Sequence, residues 1–272
     1  MAPVLTPNSS TSKLVKPALP WFPALERLAW VVTSFAAFGL LWLFVATMAG
    51  DARLFPGPVA VFQNMLGLAK SGALWSNIIV TLERLFYAFA AAMVIGSVIG
   101  ILLGMFPRAD KFFDPWLILF LNLPAIVTIT LCIIWGGMNQ ASIVTAVALN
   151  KIPNTAVTMR EGTRSLSRDL NEMAQVYHFG WWKTLRHVTL PQLAPFFAAA
   201  ARAGLALIWK IVLVVEAFGG NGRGVGYQIF IAFTDFDVAT ILAYALAFII
   251  IVQIIESLLM QPLLARVNRW RR

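Results

Sequence analysis

The sequence predicts an all-α integral membrane protein: six transmembrane helices with a long polar loop between helices 4 and 5. Three observations predict it. Composition is the first: 60% of residues are hydrophobic, only 12% are charged, 10 are Trp, and mean hydropathy is +0.78. That excludes an ordinary soluble domain. The second is the recurrence of charge-free runs, since a span needs about 20 largely apolar residues. The third is the placement of Lys and Arg, which alternates between connections as a multi-pass topology requires.

Residues 1–27 are rich in Pro, Ser and Thr and read as a disordered cytoplasmic tail. The transmembrane domain follows over 28–265, and 266–272 form a basic cytoplasmic tail. The first run, Leu28–Gly50, is too long for a cleavable signal and stays as an anchor. Asp51–Arg84 reads as periplasmic, with a Leu54-Phe-Pro-Gly-Pro58 turn. The amphipathic stretch after it, Val59–Lys70, suits a position along the membrane surface.

The second span, Leu85–Pro107, carries Ala88, Ala92, Gly96, Gly100 and Gly104, each four residues after the last. On a helix they form one stripe that lets another backbone approach closely, from this subunit or from a second one. The run Pro115–Asn150 has 36 residues, too long for one helix, and Trp135-Gly-Gly-Met-Asn-Gln140 divides it. Its first half holds Pro115, Asn122 and Pro124; the second leads to Asn150, Lys151 and Pro153. Prolines free backbone carbonyls, which at membrane depth must be packed in protein or line a polar cavity, so both spans are placed near a pathway. The fifth span, about Pro195 to Phe218, is apolar except for Arg202, Lys210 and Glu216; Val238–Ile255 is the sixth.

With the N-terminus inside, six crossings put 14 of the 21 basic residues in the cytoplasm. Only Arg53, Lys70, Arg84 and Arg223 fall outside, and Lys151, Arg202 and Lys210 lie within spans. Both termini are therefore expected in the cytoplasm. The net charge of +9 then reflects topology and contact with membrane lipid headgroups, not nucleic-acid binding. Cys132 stands alone in an apolar run as a small core residue. His178 and His187 have no completing Cys, Asp or Glu, so no metal site is expected.

Between the fourth and fifth spans, residues 160–191 are hydrophilic and helix-compatible. Gly180 interrupts them in the middle, and Pro191 stands where the next span begins. A helix–turn–helix of mixed charge on the cytoplasmic face is a natural protein-docking element. Here the residues resemble the signature loop of membrane subunits of binding-protein-dependent ABC importers. That pattern is Glu-Ala-Ala, three residues, Gly, nine residues, Ile-x-Leu-Pro. Glu172, Ala174, Leu190 and Pro191 fall in register, the Glu-to-Pro spacing of 19 agrees, and Val188 and Met173 are substitutions. The Gly position is His178, so the turn is expected to shift to Gly180. Leu54–Phe62, Thr81–Arg84, Gly162–Leu166 and Gly224–Tyr227 look like the nitrate/sulfonate/taurine branch of type I importers.

The resemblance implies an importer core of about 77–260 and an ATPase-coupling loop of about 160–191, in a multi-pass subunit of a bacterial inner membrane. It also implies a second permease subunit in a homodimer, cytoplasmic ABC ATPase subunits and a periplasmic solute-binding protein. ATP and Mg would belong to the ATPase, leaving this chain without a cofactor or enzymatic activity. In keeping with that, the chain has no Gly-x-x-x-x-Gly-Lys-Ser/Thr loop, and the Gly219–Gly226 cluster lacks the Lys-Ser/Thr.

Lys151, Lys210 and Glu216, with Asn122 and Asn150, are the candidate path residues. A lysine at mid-span costs about 2.5–3.5 kcal/mol on insertion scales, so it should face a cavity or a partner. Two lysines would suit an anion such as a sulfonate or nitrate; pairing with Glu216 or with the dimer mate is the structural alternative. An uncharged or cationic nutrient such as a pyrimidine precursor is the competing cargo. From other classes, a secondary transporter or channel would need no ATPase, and a membrane enzyme would need a catalytic cluster that is absent.

Overall fold

The computed structural model describes residues 22–219 and 222–262, and its regular structure there is entirely helical. The expected N-terminal tail over 1–21 and the expected basic tail over 266–272 lie outside the described residues. By internal contacts the chain forms two units, Met1–Gly50 and Asp51–Arg272.

The first unit contains α1 (Phe22–Ala49), long and apolar enough to cross a membrane. Residues 22–27, assigned above to the tail, belong to this helix.

In the second unit, α2 (Pro58–Lys70) starts with Pro58 in its first turn, where the missing N–H has no intrahelical partner anyway. It is followed by α3 (Ala73–Met105), whose 33 residues make a rod of roughly 50 Å. Asp51–Arg84 is therefore not a periplasmic segment throughout. α3 begins well before the charge-free run because Arg84 lies inside it, neutralised by a buried carboxylate described below.

The run expected to give the third span forms α4 (Pro107–Asn122) and α5 (Ala125–Gly136), bent by 94°. Pro124 forces the bend: it offers no N–H, and it holds Leu123 extended, at φ −65° and ψ 123°. The turn at 137–139 is present, and Asn139 accepts the Ser142 N–H at 2.9 Å to cap α6 (Gln140–Arg164).

Beyond it come α7 (Arg168–Val176), α8 (Trp181–Thr184), α9 (Leu190–Gly219), α10 (Val225–Thr234) and α11 (Val238–Ile255). Among the described residues, four helices qualify as spans by length and composition, or five if the α4–α5 pair is one. α6 is long enough for the sixth but too polar to qualify, because it carries Asn150, Lys151 and Asn154. Of these only Lys151 is buried, where α6 packs between α3 and α9 with Ile143, Ala146 and Val147 fully buried; Asn150 is half-buried and Asn154 exposed.

The small-residue stripe of α3 meets α6. A Cβ on Gly96 would fall 2.6 Å from Thr155 Cβ, one on Gly100 would strike the Ala156 carbonyl, and one on Gly104 would lie 2.5 Å from Thr163 Cβ. Ala88 and Ala92 continue the seam at 0% exposure. The partner of the stripe is thus within the same subunit.

Candidate functional site

Two helices flank the polar loop, α6 leading in and α9 leading out. Ser165–Ser167 link α6 to α7, and Ser167 caps α7 by accepting the Leu170 N–H at 3.4 Å. The Ser167 N–H donates to Gln192 Oε1 at 2.9 Å, which ties the start of the loop to α9. Gly162 lies so close to the Phe196 ring that a Cβ would sit 2.6 Å from it.

α7 ends in a Schellman turn: the Phe179 N–H donates to the Ala174 carbonyl at 2.8 Å, and the His178 N–H to the Gln175 carbonyl at 3.0 Å. The residue in the left-handed conformation is His178, at φ +48°. Gly180, at φ −63° and ψ 159°, is extended and would accept a Cβ with no heavy atom within 4 Å. The turn has not moved to Gly180. It remains at 178, where histidine bears the strain that glycine would avoid.

Pro191 does not begin a new helix either. α8, a single π-helical turn over Leu185–Thr189 and α9 run on without interruption. Pro191 cannot donate to the preceding turn and its ring crowds the carbonyl four residues back; the wider turn accommodates both. Within the loop Ala174 is buried, whereas Glu172, His178 and Leu190 are exposed. So are Val176, Tyr177, Trp181 and Trp182, each more than half exposed. They make an apolar and aromatic face on an otherwise polar loop.

The five candidate path residues are not brought together: among the described residues no hydrogen bond or ion pair joins any two of them. Asn122 is exposed and donates to the Ile118 carbonyl at 2.7 Å; Asn150 donates to the Ala146 carbonyl at 2.8 Å. Lys210 is exposed, its Nζ 5.5 Å from the centre of the Trp209 ring. Lys151 differs. It is the twelfth residue of α6, 3% exposed, with no acidic or hydrogen-bonding partner among the described residues. Its stem lies in a cradle made by Gly204 on α9 and Phe89 on α3. A Cβ on Gly204 would be 2.9 Å from Lys151 Cε and 3.4 Å from the Phe89 ring.

Glu216 belongs to a network of its own. Its carboxylate is fully buried and pairs with Arg84 at 2.8 Å. It also accepts the Thr81 hydroxyl and the Gly226 N–H, both at 2.9 Å. Arg84 donates further to the Arg223 carbonyl at 2.9 Å. Asn77 accepts the Gly224 N–H at 2.9 Å, and Thr81 the Val225 N–H at 2.8 Å. The start of α10 is thus bound over three successive N–H groups. Gly224 and Gly226 allow the approach: a Cβ on Gly224 would fall 2.6 Å from the Glu216 carboxylate, and one on Gly226 would strike the Leu213 carbonyl. Gly224 and Gly226 thereby close a polar knot.

Sequence reasoning overlooked Arg84, Thr81 and Asn77 in this knot. A signal existed: at 77, 81 and 84 they share one helical face, and Arg84 and Glu216 are opposite charges in two apolar helices. A second cluster joins α4 to α6: Arg160 contacts Asp114 at 2.6 Å and Asp110 at 3.1 Å, and Arg164 contacts Asp110 and Glu161.

Residues 92–270 match the family described as the binding-protein-dependent transport system inner membrane component. A putative aliphatic sulfonates transport permease of Bacillus subtilis is 29% identical over 66% of this chain and 64% of its own length, just under two thirds of that relative. The taurine transport system permease of Escherichia coli is 25% identical over 95% of this chain and 96% of its own. A bicarbonate transport system permease of Synechococcus elongatus is 26% identical over 92% and 91%. Among solved structures, an inward-facing MetNI methionine ABC transporter chain superposes with a TM-score of 0.62 at 16% identity, over 70% of this chain and 94% of that one, a likeness of fold alone. The family match covers most of the described chain, and the chain belongs to the inner membrane components of binding-protein-dependent transport systems.

Proposed function

We propose that this chain is the permease subunit of an ATP-driven importer for a small anionic solute. It forms the translocation path with a second copy by alternating access, crossing the inner membrane six times with both termini in the cytoplasm. Separate ATPase subunits, which hold ATP and Mg, dock on α7 and α8 through the exposed Tyr177, Trp181 and Trp182. A periplasmic solute-binding protein delivers the cargo.

One observation carries this reading: the two helices that flank the loop meet at Lys151. Lys151 is on α6, which leads into the loop, and Gly204 is on the continuous rod that leads out. A displacement of the loop would shift α6, which carries the ammonium, against the Gly204 wall on α9. An isolated buried ammonium is costly, and a transiting anion offsets the cost. The relatives named for aliphatic sulfonates, taurine and bicarbonate share an anionic oxygen group as cargo, which supports that class.

Uptake of labelled taurine and of an alkanesulfonate into proteoliposomes holding the permease, its ATPase and its binding protein tests this. Lys151→Met is expected to lower ATP-driven uptake about tenfold, the effect of about 1.4 kcal/mol, with the ATPase still bound. Uptake at the wild-type rate removes Lys151 from the path. Trp181→Ala with Trp182→Ala is expected to abolish ATPase copurification; uptake that persists without ATP identifies a stand-alone carrier instead.

A further inference from the structure

Phe236 is left-handed, at φ +55°, in the turn between α10 and α11. Glycine or asparagine is the ordinary occupant of such a position, and for a bulky side chain the conformation is an outlier. Backbone bonds dictate it: the Asp237 N–H donates to the Ala232 carbonyl at 2.8 Å, and the Phe236 N–H to the Phe233 carbonyl at 3.2 Å. The ring gains nothing in return from its own chain. It is 74% exposed and stacks on no other ring among the described residues. Phe233, whose carbonyl closes the turn, is 64% exposed. Residues held this way cluster where the side chain serves a function.

The turn lies at the end of the molecule opposite the α7–α8 loop. Asn77, near the start of α3, bonds Tyr244 of α11 at 3.3 Å. Phe248, one turn further along α11, reaches Trp209 on the loop side of Glu216, with ring centres 6.3 Å apart. So α11 runs toward the loop, and its start points away. At the loop end Gly104 of α3 packs on Thr163, just before the link to α7. From Gly104 to Asn77 α3 rises roughly 40 Å, and α11 begins roughly 9 Å beyond Tyr244. That carries the turn past the span of a bilayer with its headgroups, about 40–45 Å. Charge also speaks against a lipid contact. The turn holds Asp235 and Asp237, and no Lys or Arg occurs between Arg223 and Arg266, whereas anionic headgroups attract bases. Asp237 is occupied by the Thr240 N–H and hydroxyl; Asp235 is exposed and forms no ion pair among the described residues.

We propose that this turn is a docking point for the solute-binding protein: Phe236, with Phe233, seats in an apolar socket of that protein, and Asp235 meets a basic residue at its rim. An aromatic anchor inside a polar rim is the arrangement that carries binding energy at protein interfaces. The proposal rests on the importer reading above, in which the ATPase takes the loop and the binding protein the opposite end. The family itself is described by its dependence on such a protein.

The test titrates its binding protein against the full permease–ATPase complex in nanodiscs. Phe236→Gly relieves the strain, so it is expected to raise the melting temperature and yet weaken binding at least about tenfold. Phe236→Asn keeps a residue that tolerates the left-handed backbone but removes the ring, and is expected to weaken binding as much. Asp235→Lys is expected to slow association and flatten its salt dependence. Phe236→Cys in a Cys132→Ser background should react with a membrane-impermeant maleimide, and saturating binding protein should slow that reaction about fivefold or more, as site occupancy requires. Wild-type affinity in Phe236→Gly, or affinity restored in Phe236→Asn, overturns the proposal, as does association unchanged by Asp235→Lys. A cysteine at 236 that fails to react without the binding protein is covered by lipid or by a second copy, and one that reacts at the same rate with it is not covered by the partner; either overturns the proposal too. A wild-type complex that binds no solute-binding protein removes the importer reading together with this site, whereas failure in the variants alone removes only the site.

Discussion

Glu216 and Lys151 are both buried charges, and their surroundings give them opposite characters. Glu216 accepts from Arg84, Thr81 and the Gly226 N–H. Removing one member of a buried pair leaves the other uncompensated, at about 3–5 kcal/mol. Arg84→Met is therefore expected to lower the thermal stability of the detergent-solubilised chain severely. Adding Glu216→Gln should restore part of it, because the amide oxygen still accepts from Gly226 without a charge; a double variant no more stable than the single one refutes this account. His178 offers the reverse case. Left-handed backbone costs a non-glycine residue about 1–2 kcal/mol, so His178→Gly should stabilise the loop by about 1 kcal/mol and Gly180→Ala should be nearly neutral. Hydrogen exchange at the Phe179 amide, which closes the turn onto Ala174, would show slower opening in the first variant and no change in the second.

At the scale of elements, the α3–α6 seam depends on missing side chains. Gly100→Ala drives a methyl into the Ala156 carbonyl and to 2.7 Å from Met159 Cβ. It should cost about 1–3 kcal/mol, while Gly67→Ala on α2, which meets nothing within 4 Å, should gain about 0.5–1 kcal/mol. Thermal melts of the two variants give opposite shifts if the seam works this way. The stripe was legible in the sequence because a four-residue repeat is a property of one helix. Its partner was not, since facing surfaces are set by tertiary packing that no local pattern records. The same division explains α3 and the α4–α5 bend. Charge-free runs locate apolar segments, but a charge neutralised 132 residues away reads as a boundary, and Pro124 reads as a kink without its angle. The loop shows it most plainly: the spacing from Glu172 to Pro191 was readable, whereas the choice between His178 and Gly180 for the left-handed position was decided by where α7 ends.

For the whole molecule, orientation is the property that every proposed role shares. In the reading above the loop lies with the termini, and Gly72, ahead of α3, lies on the other side. A membrane-impermeant maleimide should label Gly72→Cys in intact cells, and Trp181→Cys only in inverted vesicles, each in a Cys132→Ser background; the opposite pattern reverses the topology. The polar knot has a further meaning for how the chain is made. Arg84 and Glu216 are separated by 132 residues, so α3 leaves the ribosome long before its counter-ion exists. At about 5–20 residues per second that interval is roughly 7–26 s. Until then a guanidinium worth up to about 3 kcal/mol against insertion lacks its carboxylate counter-ion, although Gln140, 56 residues on, already offers an acceptor to its Nε. The charge pair is therefore completed in two stages: α3 is made with its guanidinium short of a carboxylate, and α9, emerging later, supplies it.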